Sequence, residues 1–254
     1  MKFTILGSGS SRGVPEVGCD CFTCSSEDQR NKRLRTSILV ESDSTKILVD
    51  TSPDLREQAI KHKIRSLDAV VYTHFHSDHV AGIDDLKGIK SNSGKLMAYA
   101  NQETYDSLLK SYEYAFKQAT PIYPPMLEMN IIKNKSEFIV GDIQISTFEQ
   151  DHNYMTSLGI RFGDLVYSTD ACHLDEEAFN AIHGVKIWIV DCLRYSWAPT
   201  HSYLEKTLNW IERVKPKLAI LTHMSHDMEY NELKKLLPSN VVPAYDGMVQ
   251  GFNL

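Results

Sequence analysis

An apolar run that ends abruptly on a cluster of histidines limits what this chain can become more than any other feature. Ala69-Val70-Val71-Tyr72 has the β-branched, continuously apolar character of a strand buried on both faces, and Thr73 ends it. His74, His76, Asp78 and His79 then fall within six positions. His74 and His76 are two apart, so an extended backbone points both to one side. Asp78 and His79 follow a turn that reads as the start of a helix, with Gly82 just beyond. Imidazoles and a carboxylate at the carboxyl end of a strand mark where open α/β folds place their sites. The H-x-H-x-D-H spacing is that of a metal ligand set rather than a solvated loop, and it suits zinc, manganese or iron.

The rest of the chain frames that site. With 254 residues, 42% of them hydrophobic, there is ample material for a packed core. No stretch has the composition of a disordered linker, so residues 1–254 read as a single domain. A formal net charge of -6 argues against an exposed basic surface for nucleic acid. Met1–Leu6 gives way at once to Gly7-Ser8-Gly9-Ser10, leaving no hydrophobic region of a signal peptide, and no apolar run approaches membrane-spanning length. Three of the five cysteines, Cys19, Cys21 and Cys24, lie within six residues, a pattern of metal binding in a reducing compartment. A cytoplasmic protein is the expectation. Three thiolates so spaced can wrap one tetrahedral ion whose fourth ligand comes from elsewhere.

Along the chain, Lys2–Leu6 reads as a strand followed by a glycine-rich loop. That loop matches neither a P-loop nor a dinucleotide fingerprint, so a plain turn is expected. Asn31-Lys32-Arg33-Leu34-Arg35 reads as a solvated basic face rather than a phosphate clamp. Strands are expected over Ser37–Glu41 and Lys46–Asp50. Asp50 either orients a ligand imidazole from behind or caps the helix expected over Pro53–His62. A strand over Lys95–Ala100 and a helix over Asn101–Lys117 precede a proline-stiffened loop, Thr120–Met126, a candidate wall of the site. Hairpins turning at Gly141-Asp142 and Gly163-Asp164 deliver His152 and Asp170. A helix near Asp175–Ile182 precedes a strand, Lys186–Val190. Ser202 and Glu205 have capping-box spacing, which puts His201 just ahead of a helix over Tyr203–Val214. The strand Leu218–Leu221 ends at His223, and a helix and a last strand over Val241–Gly247 follow.

His152, Asp170 and His223 thus stand just after strands, as the first cluster does. In this order the seven ligands resemble those of the metallo-β-lactamase superfamily of hydrolases. Within it the chain more closely resembles the PhnP-like phosphodiesterases, through the Gly7–Pro15 loop, the cysteine triplet, His223-Met224-Ser225-His226-Asp227 and Ala244–Met248. The resemblance implies an α/β fold of the αββα type, two packed mixed β-sheets flanked by helices. It implies that His74, His76 and His152 hold one divalent metal, that Asp78, His79 and His223 hold a second, and that Asp170 bridges them. It also implies a structural zinc on Cys19, Cys21, Cys24 and His226, and a homodimer.

Two such cations can acidify a water and clamp a phosphoryl oxygen. The activity expected is hydrolysis of a small, cyclic phosphodiester by metal-held hydroxide, with manganese or zinc, or else iron, in the catalytic site. Asp78 would ligate a metal and orient the nucleophile. His201 would protonate the leaving group, its charge tolerated beside a helix N-terminus once a phosphate is bound; the bland alternative is an exposed pre-cap residue. Competing activities on the same ligands are tRNA 3′-processing by an endoribonuclease, and thioester or lactone hydrolysis.

Overall fold

The computed structural model describes residues 1–91, 94–118, 122 and 124–253. Two seven-stranded mixed sheets pack face to face. The first runs, edge to edge, through Val249–Gly251, Lys2–Gly7, Ser37–Glu41, Lys46–Val49, Ala69–Val71, Leu96–Ala100 and Leu127–Ile131. The second runs through Val241–Pro243, Leu218–Thr222, Ile187–Asp191, Leu165–Ser168, Thr156–Phe162, Ile143–Asp151 and Ser136–Val140. In each sheet one half is antiparallel and the other parallel.

The sandwich follows from strands that are apolar on both sides. Ile38, Val40, Ile47, Val49, Ala69 and Val71 face the second sheet, meeting Ile145, Phe148, Ile160 and Phe162 in one core. Their sequence neighbours Leu39, Leu48 and Val70 face the other way, under Leu55, Val80, Ile83 and Leu108. Alternation therefore shows as which core a residue enters, not as apolar against polar. Among the described residues no helix is long and apolar enough to cross a membrane.

Several local expectations change. The first helix spans Leu55–Lys61 rather than starting at Pro53. Asn101 caps the long helix Gln102–Phe116 through the amide of Thr104. The Ser202–Glu205 capping box does not form: Ser202 Oγ instead meets Thr207 Oγ1 at 2.7 Å, and the helix Leu204–Val214 begins without a side-chain cap. The last strand is confined to Val241–Pro243, and Val249–Gly251 adds an unforeseen strand beside Lys2–Thr4. The basic run is not a solvated face. Arg33 is buried, Arg35 pairs with Asp54, and Lys32 Nζ donates to the carbonyl of Cys24 at 3.2 Å. In the loop expected over Thr120–Met126, Thr120, Pro121 and Tyr123 lie outside the described residues.

Candidate metal centre

Strand ends make the site. His74 and His76 follow Ala69–Val71, and Asp78 and His79 lie on the short helix Ser77–Val80. His152 follows Ile143–Asp151, Asp170 follows Leu165–Ser168, and His223 follows Leu218–Thr222. Asp50, Asp170 and His223 have φ of 63°, 54° and 58°, so three strands leave the sheet through a left-handed residue. Such a backbone costs a residue with a β-carbon some strain and persists where surrounding structure imposes it. It brings Asp170 and His223 into the ligand cluster and Asp50 against His79.

The ligand atoms converge in two groups. His74, His76, His152 and Asp170 form one, Asp78, His79, Asp170 and His223 the other, and within each group the atoms all lie within 4.8 Å of one another. Asp170 belongs to both. In the first, Nδ1 of His76 lies 3.1 Å from His74 Nε2 and 3.3 Å from His152 Nε2. His152 Nδ1 donates to the carbonyl of Thr200 at 2.7 Å, so its Nε2 presents a lone pair. Imidazole lone pairs aimed at one another at about 3 Å repel unless a cation stands between them, and metal–nitrogen bonds of about 2.0–2.1 Å give that spacing.

In the second group His79 Nδ1 donates to Asp50 Oδ2 at 2.7 Å, directing Nε2 at Asp170 Oδ2, 3.1 Å away, and Asp78 Oδ2, 3.3 Å away. That Nε2 is buried and without a hydrogen-bond partner, as a ligand atom should be. His223 Nε2 stands 3.4 Å from Asp78 Oδ2 and 3.5 Å from Asp170 Oδ1. The residues fit a pair of divalent cations. Burial penalises the imidazolium and holds His74 well below the usual histidine range, the neutral state a ligand needs. Burial also opposes ionisation of Asp78 and Asp170, but the surrounding imidazoles overcome it and both stay carboxylates.

Asp50 is no helix cap. Its Oδ1 accepts from the Thr73 amide and its Oδ2 from Thr73 Oγ1, both at 2.8 Å, alongside His79. His201 is not an exposed residue ahead of a helix. It stacks on His223 with ring centroids 4.7 Å apart, and its Nδ1 lies 3.1 Å from Asp191 Oδ2. Burial works against a positive His201, yet Asp191, with Asp170 and Asp78 behind it, lifts the imidazole to about 9. Asp191 thus supports the cation before any phosphate is bound. The same Oδ2 accepts the amides of Ala171 and Ser202 at 3.1 Å, fixing the carboxylate. Asp191 was assigned no role from the sequence. The available signal was its place at the end of a strand, close to the position that His152, Asp170 and His223 take after theirs.

The cysteines form a separate cluster. Cys19 Sγ and Cys21 Sγ stand 3.2 and 3.3 Å from His226 Nδ1, and with Cys24 their ligand atoms lie within 4.8 Å of one another. Zinc bonds of about 2.3 Å to sulfur and 2.0–2.1 Å to nitrogen span tetrahedron edges of that size. Asp246 stays outside both clusters. It accepts from the Ser8 amide, Ser8 Oγ and the Leu34 amide, pinning the chain's last loop to its first.

A family model described as a β-lactamase superfamily domain matches residues 45–224. The crystal structure of a new diphosphatase from the PhnP family is 35% identical, with a TM-score of 0.93, covering 100% of this chain and 98% of that one. A Porphyromonas gingivalis protein named octanoyltransferase is 36% identical over 251 residues, which is 98% of this chain and 51% of that protein. A ribonuclease Z of Clostridium kluyveri is 26% identical over 152 residues, 58% of this chain and 44% of the enzyme. The chain spans about half the length of these two curated relatives.

Proposed function

The chain belongs to the metallo-β-lactamase superfamily and, within it, to the PhnP family, and on that premise we propose that it is a metal-dependent phosphodiesterase acting on a small phosphoric diester. His74, His76, His152 and Asp170 would hold one divalent ion, manganese or zinc, and Asp78, His79, Asp170 and His223 the other. When bound, the pair supplies acidification of water and neutralisation of charge on the phosphoryl oxygens. Asp78 turns Oδ2 toward His79 and His223, and its carboxylate would orient the attacking water. His201 carries a proton on Nε2 while Asp191 holds Nδ1–H, so it can protonate the departing alkoxide.

The observation that carries the reading is this Asp191–His201 pair set against the ligand cluster. An alkoxide leaving phosphorus is strongly basic and needs an acid, whereas a thiolate leaving a thioester does not. Ribonuclease action is the second reading, supported by the distant C. kluyveri similarity. The net charge of -6 weighs against a polyanionic partner. The name of the P. gingivalis relative describes a protein of which this chain matches half, and it makes an acyl thioester a worthwhile control.

Manganese-reconstituted protein should be assayed on an aryl phosphodiester and a diphosphate diester, beside a phosphomonoester, a lactone, a thioester and a precursor tRNA. Diesterase activity that disappears in His74→Ala is the expected result. Turnover of the lactone or thioester alone overturns the phosphodiesterase reading, and cleavage of the tRNA alone moves it to the nuclease.

A further inference from the structure

The basic run around Arg33 has no part in that chemistry, yet Arg33 is only 1% exposed. Its Nη1 donates to the carbonyl of Ser225 at 3.0 Å, and its Nη2 to the carbonyl of Met228 and, at 3.3 Å, to Asn31 Oδ1. Asp246 and Glu229 meet its charge only from a distance, and burial drags the guanidinium down to about 10. A buried cation held by neutral acceptors is costly, so its retention calls for a positional role.

The two carbonyls lie on either side of His226, and the same segment begins at His223. Met224, between His223 and Ser225, is fixed by the first loop: its amide donates to Ser8 O at 3.0 Å, and the Ser10 amide donates to its carbonyl at 3.2 Å. Gly9 permits that layering, because a β-carbon there would meet the Arg33 carbonyl at 2.8 Å. His223 holds its left-handed backbone within this clamp.

We propose that Arg33 is a positioning residue that staples the Ser225–Met228 turn and so sets His223 in the catalytic cluster and His226 in the thiolate cluster together. The proposal rests on reading both clusters as metal centres. Lysine cannot replace it, since a single ammonium lacks the planar fork that reaches two carbonyls and an amide oxygen at once.

The test compares wild type with Arg33→Lys and Arg33→Met by chelator competition and metal content, with cobalt as the probe. Thiolate-to-cobalt charge transfer reports the cysteine cluster alone. Both variants are expected to release the thiolate-held ion faster and to weaken one of the two nitrogen- and oxygen-held ions by about 10- to 100-fold, leaving the other near its wild-type affinity. Unchanged metal binding in both variants overturns the proposal. So does wild-type behaviour in Arg33→Lys, or a uniform weakening of all three ions in step with the melting temperature. Absence of the charge-transfer band in wild type is a different result: it removes the thiolate metal centre, and the proposal with it. Arg33→Lys keeps charge and bulk, so the comparison survives if Arg33→Met does not fold.

Discussion

Asp50 Oδ2 and His79 Nδ1 lie 2.7 Å apart, with both side chains fully buried. Burial disfavours the Asp50 carboxylate, and His79 and Thr73 offset part of that penalty. The bond fixes which histidine nitrogen faces the ligand cluster, and a carboxylate behind a ligand imidazole also makes it a better donor.

Asp50→Asn is therefore expected to weaken one of the two catalytic ions by about 10- to 100-fold while leaving the other in place. Competition against a graded series of chelators measures this. Equal loss of both ions, or of neither, would show that Asp50 serves the core and not His79.

His201→Ala should lower turnover of an alkyl phosphodiester, whose alkoxide leaves poorly without a proton, by about 10²- to 10⁴-fold with metal content unchanged. A general acid must carry its proton, so wild-type activity should fall on the alkaline side, and the variant should lose that limb. A variant that retains both full activity and the alkaline limb excludes His201 as the acid.

Cys21→Ser should remove one ion from a wild-type total of three and lower the melting temperature, with the dinuclear cluster still able to load. Elemental analysis decides the matter, because two ions per wild-type chain would eliminate the thiolate-held zinc.

Part of the ligand cluster was legible from local signals, because His74 and His76 stand where an apolar run stops and the H-x-H-x-D-H spacing is short-range. His152, Asp170 and His223 gained meaning only together, each standing just after an expected strand. Arg33 is the opposite case: its two carbonyl acceptors lie 192 and 195 residues away, and nothing near it in the sequence announces burial. Charged residues are so seldom buried that a basic run is ordinarily read as surface. Asp191 falls between these cases, at the end of a strand but recognisable only once His201 is seen beside it. Ser202 fails for a local reason. Its spacing to Glu205 fits a capping box, but Thr207 in the first turn of the same helix meets the hydroxyl at 2.7 Å instead. The outer strand Val249–Gly251 is short and exposed, so it carries none of the apolar pattern that marks the inner strands.

Asp246 gives a prediction in which two physical effects oppose each other. Burial disfavours its carboxylate, while Ser8 and Leu34 donate three hydrogen bonds to it at 2.7–3.0 Å. Burial is the larger, and the carboxyl is raised from 3.8 to about 6. The folded protein then binds a proton more readily than the unfolded chain between about pH 4 and pH 6. Stability must fall as pH rises through that window, by up to about 3 kcal/mol, since a tenfold difference in proton affinity is worth about 1.36 kcal/mol. Asp246→Asn cannot ionise and lacks this dependence, although its amide faces the Leu34 N–H poorly and costs stability at every pH. The advantage of wild type over Asp246→Asn in urea unfolding should thus be greatest near pH 4 and shrink toward pH 7. Taking the difference removes the shared effect of losing metal in acid. An advantage that grows with pH would mean that the three donors outweigh burial and that Asp246 is held as a carboxylate.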